Sequence, residues 1–87
     1  MTRLLERKIH FSPSQTRLAI RQLHDADDRV RISSARYLSL LCTPKNRHYM
    51  TDSVLRDEVV RALDEAASDS NANVHDAARK GLSLIRH

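Results

Sequence analysis

The sequence is poor in cysteine, glycine, proline and aromatic residues, and each shortage excludes a class of protein. It contains one cysteine, one glycine, two prolines and no tryptophan among 87 residues. One cysteine cannot form an intramolecular disulfide, and small secreted domains normally need several, so we expect a reducing, cytoplasmic location. Gly81 alone cannot build a glycine-rich phosphate loop. No apolar run approaches the ~18 residues that cross a bilayer, so we expect no membrane partner.

Candidate catalytic and metal-binding groups are also few. The histidines show no paired spacing with Cys42 that would complete a four-ligand zinc site. Neither Cys42 nor any serine has a histidine at a spacing that indicates an activated nucleophile. We therefore expect no enzyme activity, no catalytic residue, no cofactor and no bound metal. The histidines are His10, His24, His48, His75 and His87.

Length and composition predict a single all-α domain spanning residues 1–87. A chain of 87 residues holds one hydrophobic core, since a domain typically takes about 100–150 residues. Helix-forming residues dominate, whereas the runs of β-branched and aromatic residues that favour strands are missing.

Capping residues and apolar spacing divide this domain into four helices. The first should follow Ser12 as N-cap, run from about 13 to 24 and bury an apolar stripe of Leu18, Ala19 and Leu23, with Ile20 beside it. Pro44 should end the second helix, because proline cannot donate a backbone hydrogen bond. Residues 2–10 are predicted to add a short helix or turn. The other three helices are expected at about 28–42, from Thr51 or Asp52 onwards, and at about 73–86.

The two halves of the chain align with each other without gaps at an offset of 44 residues. The offset places Asp25 on Asp69 and Val30 on Val74, so turn and core positions both recur. Helical hairpins repeated at this length are characteristic of α-solenoids. The predicted repeats span about residues 12–43 and about residues 52–87.

The turn and second helix of each repeat resemble those of HEAT repeats. Asp25 is followed after four residues by Val30-Arg31, and Asp69 is followed at the same spacing by Val74-His75. The resemblance covers about residues 12–87 and implies two antiparallel helical hairpins stacked as a short α-solenoid. A plain four-helix bundle is the alternative. Small residues follow four positions after each valine, and leucines eight positions after: Ser34 and Ala78, Leu38 and Leu82.

The resemblance also implies structural roles for residues in the two turns. Asp25 and Asp69 should accept hydrogen bonds from backbone amides and from the arginine of their own or the adjacent repeat. Arg31 supplies that arginine in the first repeat. His75 replaces it in the second, which would make that part of an aspartate–arginine ladder sensitive to pH.

In HEAT solenoids the second helix of each repeat lines the concave surface that usually binds partners. A basic strip on this surface is therefore the candidate partner-binding site. We expect its outward positions to be held by Arg36 and Lys80, then Ser39 and Ser83, with Arg29 and Arg86 extending the row.

A protein partner fits the basic strip better than nucleic acid. The strip has no interleaved aromatic residue to stack on bases, and the net charge of +4 is modest for a nucleic-acid-binding domain. The predicted function is a small protein-binding adaptor, regulator or inhibitor. A nucleic-acid-binding protein and a self-assembling structural subunit are the alternatives.

Two repeats leave open end faces, since about three are usually needed for stability. Such a face should be covered by residues 2–10, by a second copy of the chain, or by a partner. Acidic residues of the third helix and arginines of the first hairpin favour head-to-tail contact between copies, although solvated faces also explain these charges. The acidic residues are Asp57, Glu58, Asp64 and Glu65.

Overall fold

The computed structural model describes residues 11–50 and 52–86, and in these ranges the chain is entirely helical or irregular. The all-α prediction is therefore confirmed, whereas the predicted helix or turn at residues 2–10 lies outside the described residues. None of the described helices is both long enough and apolar enough to cross a membrane. The helices are α1 (Pro13–Gln22), α2 (Asp28–Leu41), α3 (Ser53–Ala66) and α4 (Ala72–Ile85), with a 3-10 turn at Arg47–Tyr49 between α2 and α3.

Each helix begins at a side chain that accepts a hydrogen bond from an otherwise unpaired backbone amide. Asp52, one of the two predicted candidates, is the residue that caps α3, because its Oδ1 accepts the amide of Leu55 at 2.7 Å. The local sequence thus determines where the helices start. The N-cap residues of the other helices are Ser12 for α1, Asp27 for α2 and Asn71 for α4.

The four helices form two hairpins that stack on each other. Helices α1 and α2 pack together, as do α3 and α4, and the contact between α2 and α4 is the most extensive in the molecule. Helices α1 and α3 also touch across the stack. The fold therefore has two layers, which we name the α1–α3 layer and the α2–α4 layer.

The 44-residue repeat of the sequence is also a repeat of the structure. Helices α2 and α4 start and end 44 positions apart, and so do the ends of α1 and α3. Asp25 and Asp69 make the same turn, since each accepts the backbone amide two residues ahead at 2.8 Å. Helix α3 is longer than α1 only at its N-terminal end.

The core lies between the two layers, and α1 contributes Ala19 and Leu23 of its predicted apolar stripe together with Thr16. Thr16, Ala19 and Leu23 are buried, at positions one and two helical turns apart. Leu18 lies beside this stripe and is 37% exposed, so its predicted burial is wrong. Thr16 is tolerated inside because its hydroxyl lies 3.2 Å from the hydroxyl of Tyr37. Other core residues include Leu38, Leu41, Leu55, Val59, Leu63 and Val74.

Helices α2 and α4 approach closely where Ser39 faces Gly81. A Cβ atom added to Gly81 would lie 3.2 Å from the Ser39 Cα and 3.1 Å from the Leu63 Cδ1. The single glycine therefore permits the tight contact between the hairpins. Ser39 is only 7% exposed, so its predicted outward position is wrong: it points at α4.

Equivalent faces of α2 and α4 have different surroundings. In α2 and at its C-cap, Ala35, Ser39 and Cys42 are buried at the interface between the hairpins. The residues 44 positions later occupy the matching face of α4, where no further hairpin follows among the described residues. They are Arg79, Ser83 and Arg86, and all are exposed. The face of the second hairpin that matches the buried face of α2 is thus polar.

The first hairpin and the loop after it expose three large apolar side chains. Leu18, Leu40 and Tyr49 are 37%, 41% and 41% exposed. The Phe11 ring centroid lies 5.2 Å from that of Tyr37 and 5.3 Å from that of Tyr49. The three aromatic residues of the chain thus form one cluster, which joins the loop after α2 to the start of α1.

Candidate functional site

Charge in the folded chain is divided between the layers. Helices α2 and α4 together carry five Arg/Lys residues against two Asp/Glu residues. Helices α1 and α3 carry four of each. The net positive charge of the four helices therefore lies on the α2–α4 layer.

A groove runs along the surface of the α2–α4 layer. It consists of a depression of about 740 Å³ and an adjoining one of about 390 Å³, which share Arg36 and Leu40. Along α2 it extends from Arg29 to Leu40, about 16 Å at 1.5 Å per helical residue. We name it the α2–α4 groove. Its lining residues are Arg29, Ile32, Ser33, Arg36, Tyr37, Ser39 and Leu40 from α2, and Asn73, Asp76, Ala77 and Lys80 from α4.

The floor of the groove is apolar. Leu40 is 41% exposed, which is high for a leucine beside a packed helix interface. Ile32, Tyr37 and Ala77 are partly buried and pack against the core beneath. The groove therefore offers apolar surface that the described part of the chain leaves open to solvent.

Two cations stand beside this floor, Arg36 from α2 and Lys80 from α4. Both are exposed, and neither side chain makes an ion pair or hydrogen bond with another residue in 11–50 or 52–86. The groove also contains one carboxylate, Asp76, whose Oδ1 lies 3.0 Å from the His75 Nδ1. Arg36 and Lys80 are thus charges without a described partner inside the fold.

Other residues of the predicted strip have different surroundings. The Arg29 side chain is 88% exposed and bonds Asp27 through two N–H groups, at 3.3 and 3.2 Å. These side-chain bonds, with the Arg29 backbone amide, hold the pKa of Asp27 below its usual value. Arg86 does not extend the strip: its Nη2 lies 3.7 Å from Asp64 Oδ1 of α3. Ser83 is exposed but lies outside the residues lining the groove.

The turn residues make the contact between repeats that the sequence predicts. Arg31 donates from Nε to Asp69 Oδ2 at 3.0 Å and from Nη2 to Asp69 Oδ1 at 3.4 Å. Its Nη1 also donates to the carbonyl of Asp25 at 2.9 Å. The Asn71 backbone amide and the Arg31 guanidinium hold the pKa of Asp69 below its usual value. His75 donates no hydrogen bond to a turn aspartate in the described residues; its Nδ1 lies 3.0 Å from Asp76 Oδ1 on its own helix.

Most acidic residues of α3 contact arginine or histidine side chains of the same molecule. Glu58 accepts a hydrogen bond from Arg17 Nε at 3.0 Å, and Glu65 Oε1 lies 3.6 Å from His24 Nε2. Asp64 lies near Arg86. These contacts join helices of one molecule, so they weaken the expectation that α3 attracts the first hairpin of a second copy.

Sequence reasoning missed two parts of the groove. Leu40 lies four residues after Arg36 and therefore on the same helix face, a spacing that could have identified it. Tyr37 also lines the groove next to Arg36, although the strip was expected to lack an aromatic residue. The Tyr37 ring packs on Phe11 and its hydroxyl contacts Thr16. These residues are distant along the chain, so the sequence pattern does not predict the contacts.

The remaining polar groups serve the fold. Arg47 Nη2 donates to the Leu84 carbonyl at 3.0 Å and so ties the inter-repeat loop to the end of α4. Burial raises the pKa of the Cys42 thiol to about 11, which keeps it protonated and unreactive at neutral pH. In the ranges 11–50 and 52–86, no three His, Cys, Asp or Glu residues cluster as metal ligands would.

Comparisons with protein-family models, with curated proteins and with solved structures each find no match for this chain.

Proposed function

We propose that this chain is a small cytoplasmic adaptor or regulator that binds another protein through the α2–α4 groove. The observation that carries the proposal is the position of Arg36 and Lys80 beside the exposed Leu40. Apolar surface next to cations without a described partner is the combination that protein interfaces use for affinity and for specificity. The resemblance of the repeats to HEAT repeats supports the same surface, because α2 and α4 are the second helices of the two hairpins.

A protein partner is favoured over nucleic acid by the floor of the groove. Nucleic acids are bound chiefly by cations along the backbone and by aromatic rings free to stack on bases. Leu40, Ile32 and Ala77 supply aliphatic surface instead, and the Tyr37 ring already packs on Phe11. Nucleic-acid binding therefore remains the second candidate, supported by the positive charge of the α2–α4 layer.

The proposal is tested by affinity capture with two matched double variants. Arg36→Glu with Lys80→Glu reverses the charges of the groove. Arg21→Glu with Arg61→Glu makes the same charge change at exposed positions of the α1–α3 layer. We expect the groove variant to lose partners that the unmodified chain and the control variant both retain, as read by quantitative mass spectrometry. Equal capture by all three proteins would remove the groove as the binding surface.

A further inference from the structure

The shape and charge of the α2–α4 groove indicate more than a general protein partner. We infer that its occupant is an amphipathic helix of the partner, with a row of large apolar side chains flanked on both sides by carboxylates. This inference rests on the proposed function and names the chemistry of the partner at the same site.

The backbone of the groove favours a helical occupant over an extended one. The walls are α2 and α4, whose backbone N–H and C=O groups along the groove are paired within those helices or by the cap residues Asp27 and Asn71. An extended peptide would find no backbone partners there, and desolvating its own amides and carbonyls would be costly. A helix satisfies its own backbone and needs only side-chain contacts. The groove offers these and little else.

The apolar floor sets the spacing of the anchors. Ile32 and Leu40 lie eight residues apart on α2, about 12 Å along its axis. Ala77 of α4 lines the same part of the groove as Leu40 and is small enough to leave room above it. A partner helix lying along α2 would match this floor with large apolar residues at positions i, i+4 and i+7 or i+8.

The charges beside the floor determine what flanks the anchors. Arg36 and Lys80 come from different helices, so they would meet both edges of a helix lying between them. Carboxylates on both edges would pair with them. Arg29 contributes less, because its guanidinium is already bonded to Asp27. Asp76 would repel an acidic residue nearby, and so it restricts the register in which such a helix binds.

The inference is tested with designed peptides and the whole chain. The probe is a fluorescein-labelled 16-residue helix with leucines at i, i+4 and i+7 and glutamates on both flanks. Fluorescence anisotropy measures its affinity, and circular dichroism measures the helix content gained on binding. Three matched probes replace the glutamates with lysine, replace the leucines with serine, or place proline at the centre. A DNA duplex of similar length tests phosphate recognition.

We expect the glutamate–leucine probe to bind and to gain helix, and the three matched probes to bind at least roughly tenfold more weakly. The Arg36→Ala, Lys80→Ala double variant should bind the glutamate–leucine probe roughly tenfold more weakly than the unmodified chain does. The Arg21→Ala, Arg61→Ala variant should bind it normally.

Equal binding of the proline probe would overturn the helical occupant, and equal binding of the lysine probe would overturn its acidic flanks. Tighter binding of the duplex would overturn the protein partner itself. Failure of every peptide, while capture from cells still depends on Arg36 and Lys80, would reject this inference and leave the proposed function standing.

Discussion

Arg31 of α2 forms a two-point contact with Asp69 in the turn between α3 and α4, with N–O distances of 3.0 and 3.4 Å. The two side chains are only 17% and 15% exposed. Because Arg31 also donates to the carbonyls of Asp25 and Ala26, one guanidinium joins the turn of the first hairpin to the turn of the second. This contact therefore sets how the two hairpins are aligned.

Replacing Arg31 with alanine should destabilise the stack. The change leaves Asp69 without its cation and two turn carbonyls without a donor, which we expect to lower the free energy of unfolding by about 2 kcal/mol. Urea denaturation followed by circular dichroism measures the loss. Arg29→Ala is the matched control, since the Arg29 side chain is 88% exposed, and it should leave the free energy of unfolding nearly unchanged. Similar losses for both variants would show that the contact between hairpins contributes little.

The Asp69→Asn substitution should reduce the dependence of stability on acid pH. The pKa of Asp69 is lowered in the folded chain, first by the Asn71 amide and then by Arg31. A carboxylate whose pKa is lowered by folding stabilises the folded chain at pH values above about 3.9, the ordinary pKa of aspartate. This stabilisation is lost as the pH falls through the folded-state pKa. The gap in stability between the unmodified chain and Asp69→Asn should therefore be largest near neutral pH and shrink below about pH 4.

Urea denaturation at a series of pH values measures this gap. Arg31→Ala serves as a second comparison: it should retain part of the acid dependence, because the Asn71 amide still binds the carboxylate. A constant gap between the unmodified chain and Asp69→Asn from pH 6 to pH 2 would contradict the prediction.

Gly81→Ala should be destabilising although alanine is the better helix former. Helix propensity favours alanine by about 1 kcal/mol, but the new Cβ would lie 3.2 Å from the Cα of Ser39, which cannot move without shifting α2. We expect a net loss of about 1 kcal/mol in thermal or urea unfolding. Ser83→Ala, at an exposed position of α4, is the control and should be neutral or slightly stabilising. A more stable Gly81→Ala variant would show that the two hairpins move apart enough to accommodate the new Cβ without a loss of stability.

Removing the charges at the outer end of the second hairpin should promote self-association. Arg79→Ala with Arg86→Ala makes this surface similar in size and polarity to the surface formed by Ala35, Ser39 and Cys42. That surface is buried between the two hairpins. We expect the sedimentation coefficient of the double variant to rise with concentration more steeply than that of the unmodified chain. Arg21→Ala with Arg61→Ala removes equal charge from the α1–α3 layer and controls for net charge. Identical sedimentation of both variants would show that Arg79 and Arg86 do not limit stacking.

The sequence by itself determined the helices, their ends and their repetition. Ser12, Asp52 and Asn71 cap helices through bonds to amides two or three residues away, and such short-range chemistry can be read directly from the chain. The 44-residue offset also predicted the matching turns at Asp25 and Asp69. The resemblance of the turns to those of HEAT repeats predicted a contact between a turn aspartate and an arginine, and Arg31 and Asp69 make one.

Only the tertiary structure decided which face of each helix is buried and which charges are left for a partner. Leu18 is exposed and Ser39 is buried because the rotation of each helix depends on the helices packed around it. For the same reason Arg86 pairs with Asp64, while Arg36 and Lys80 remain beside Leu40 without a described partner. Spacing along the chain predicts only which residues share a face of a single helix. The groove exists only where two helices from different halves of the sequence lie side by side.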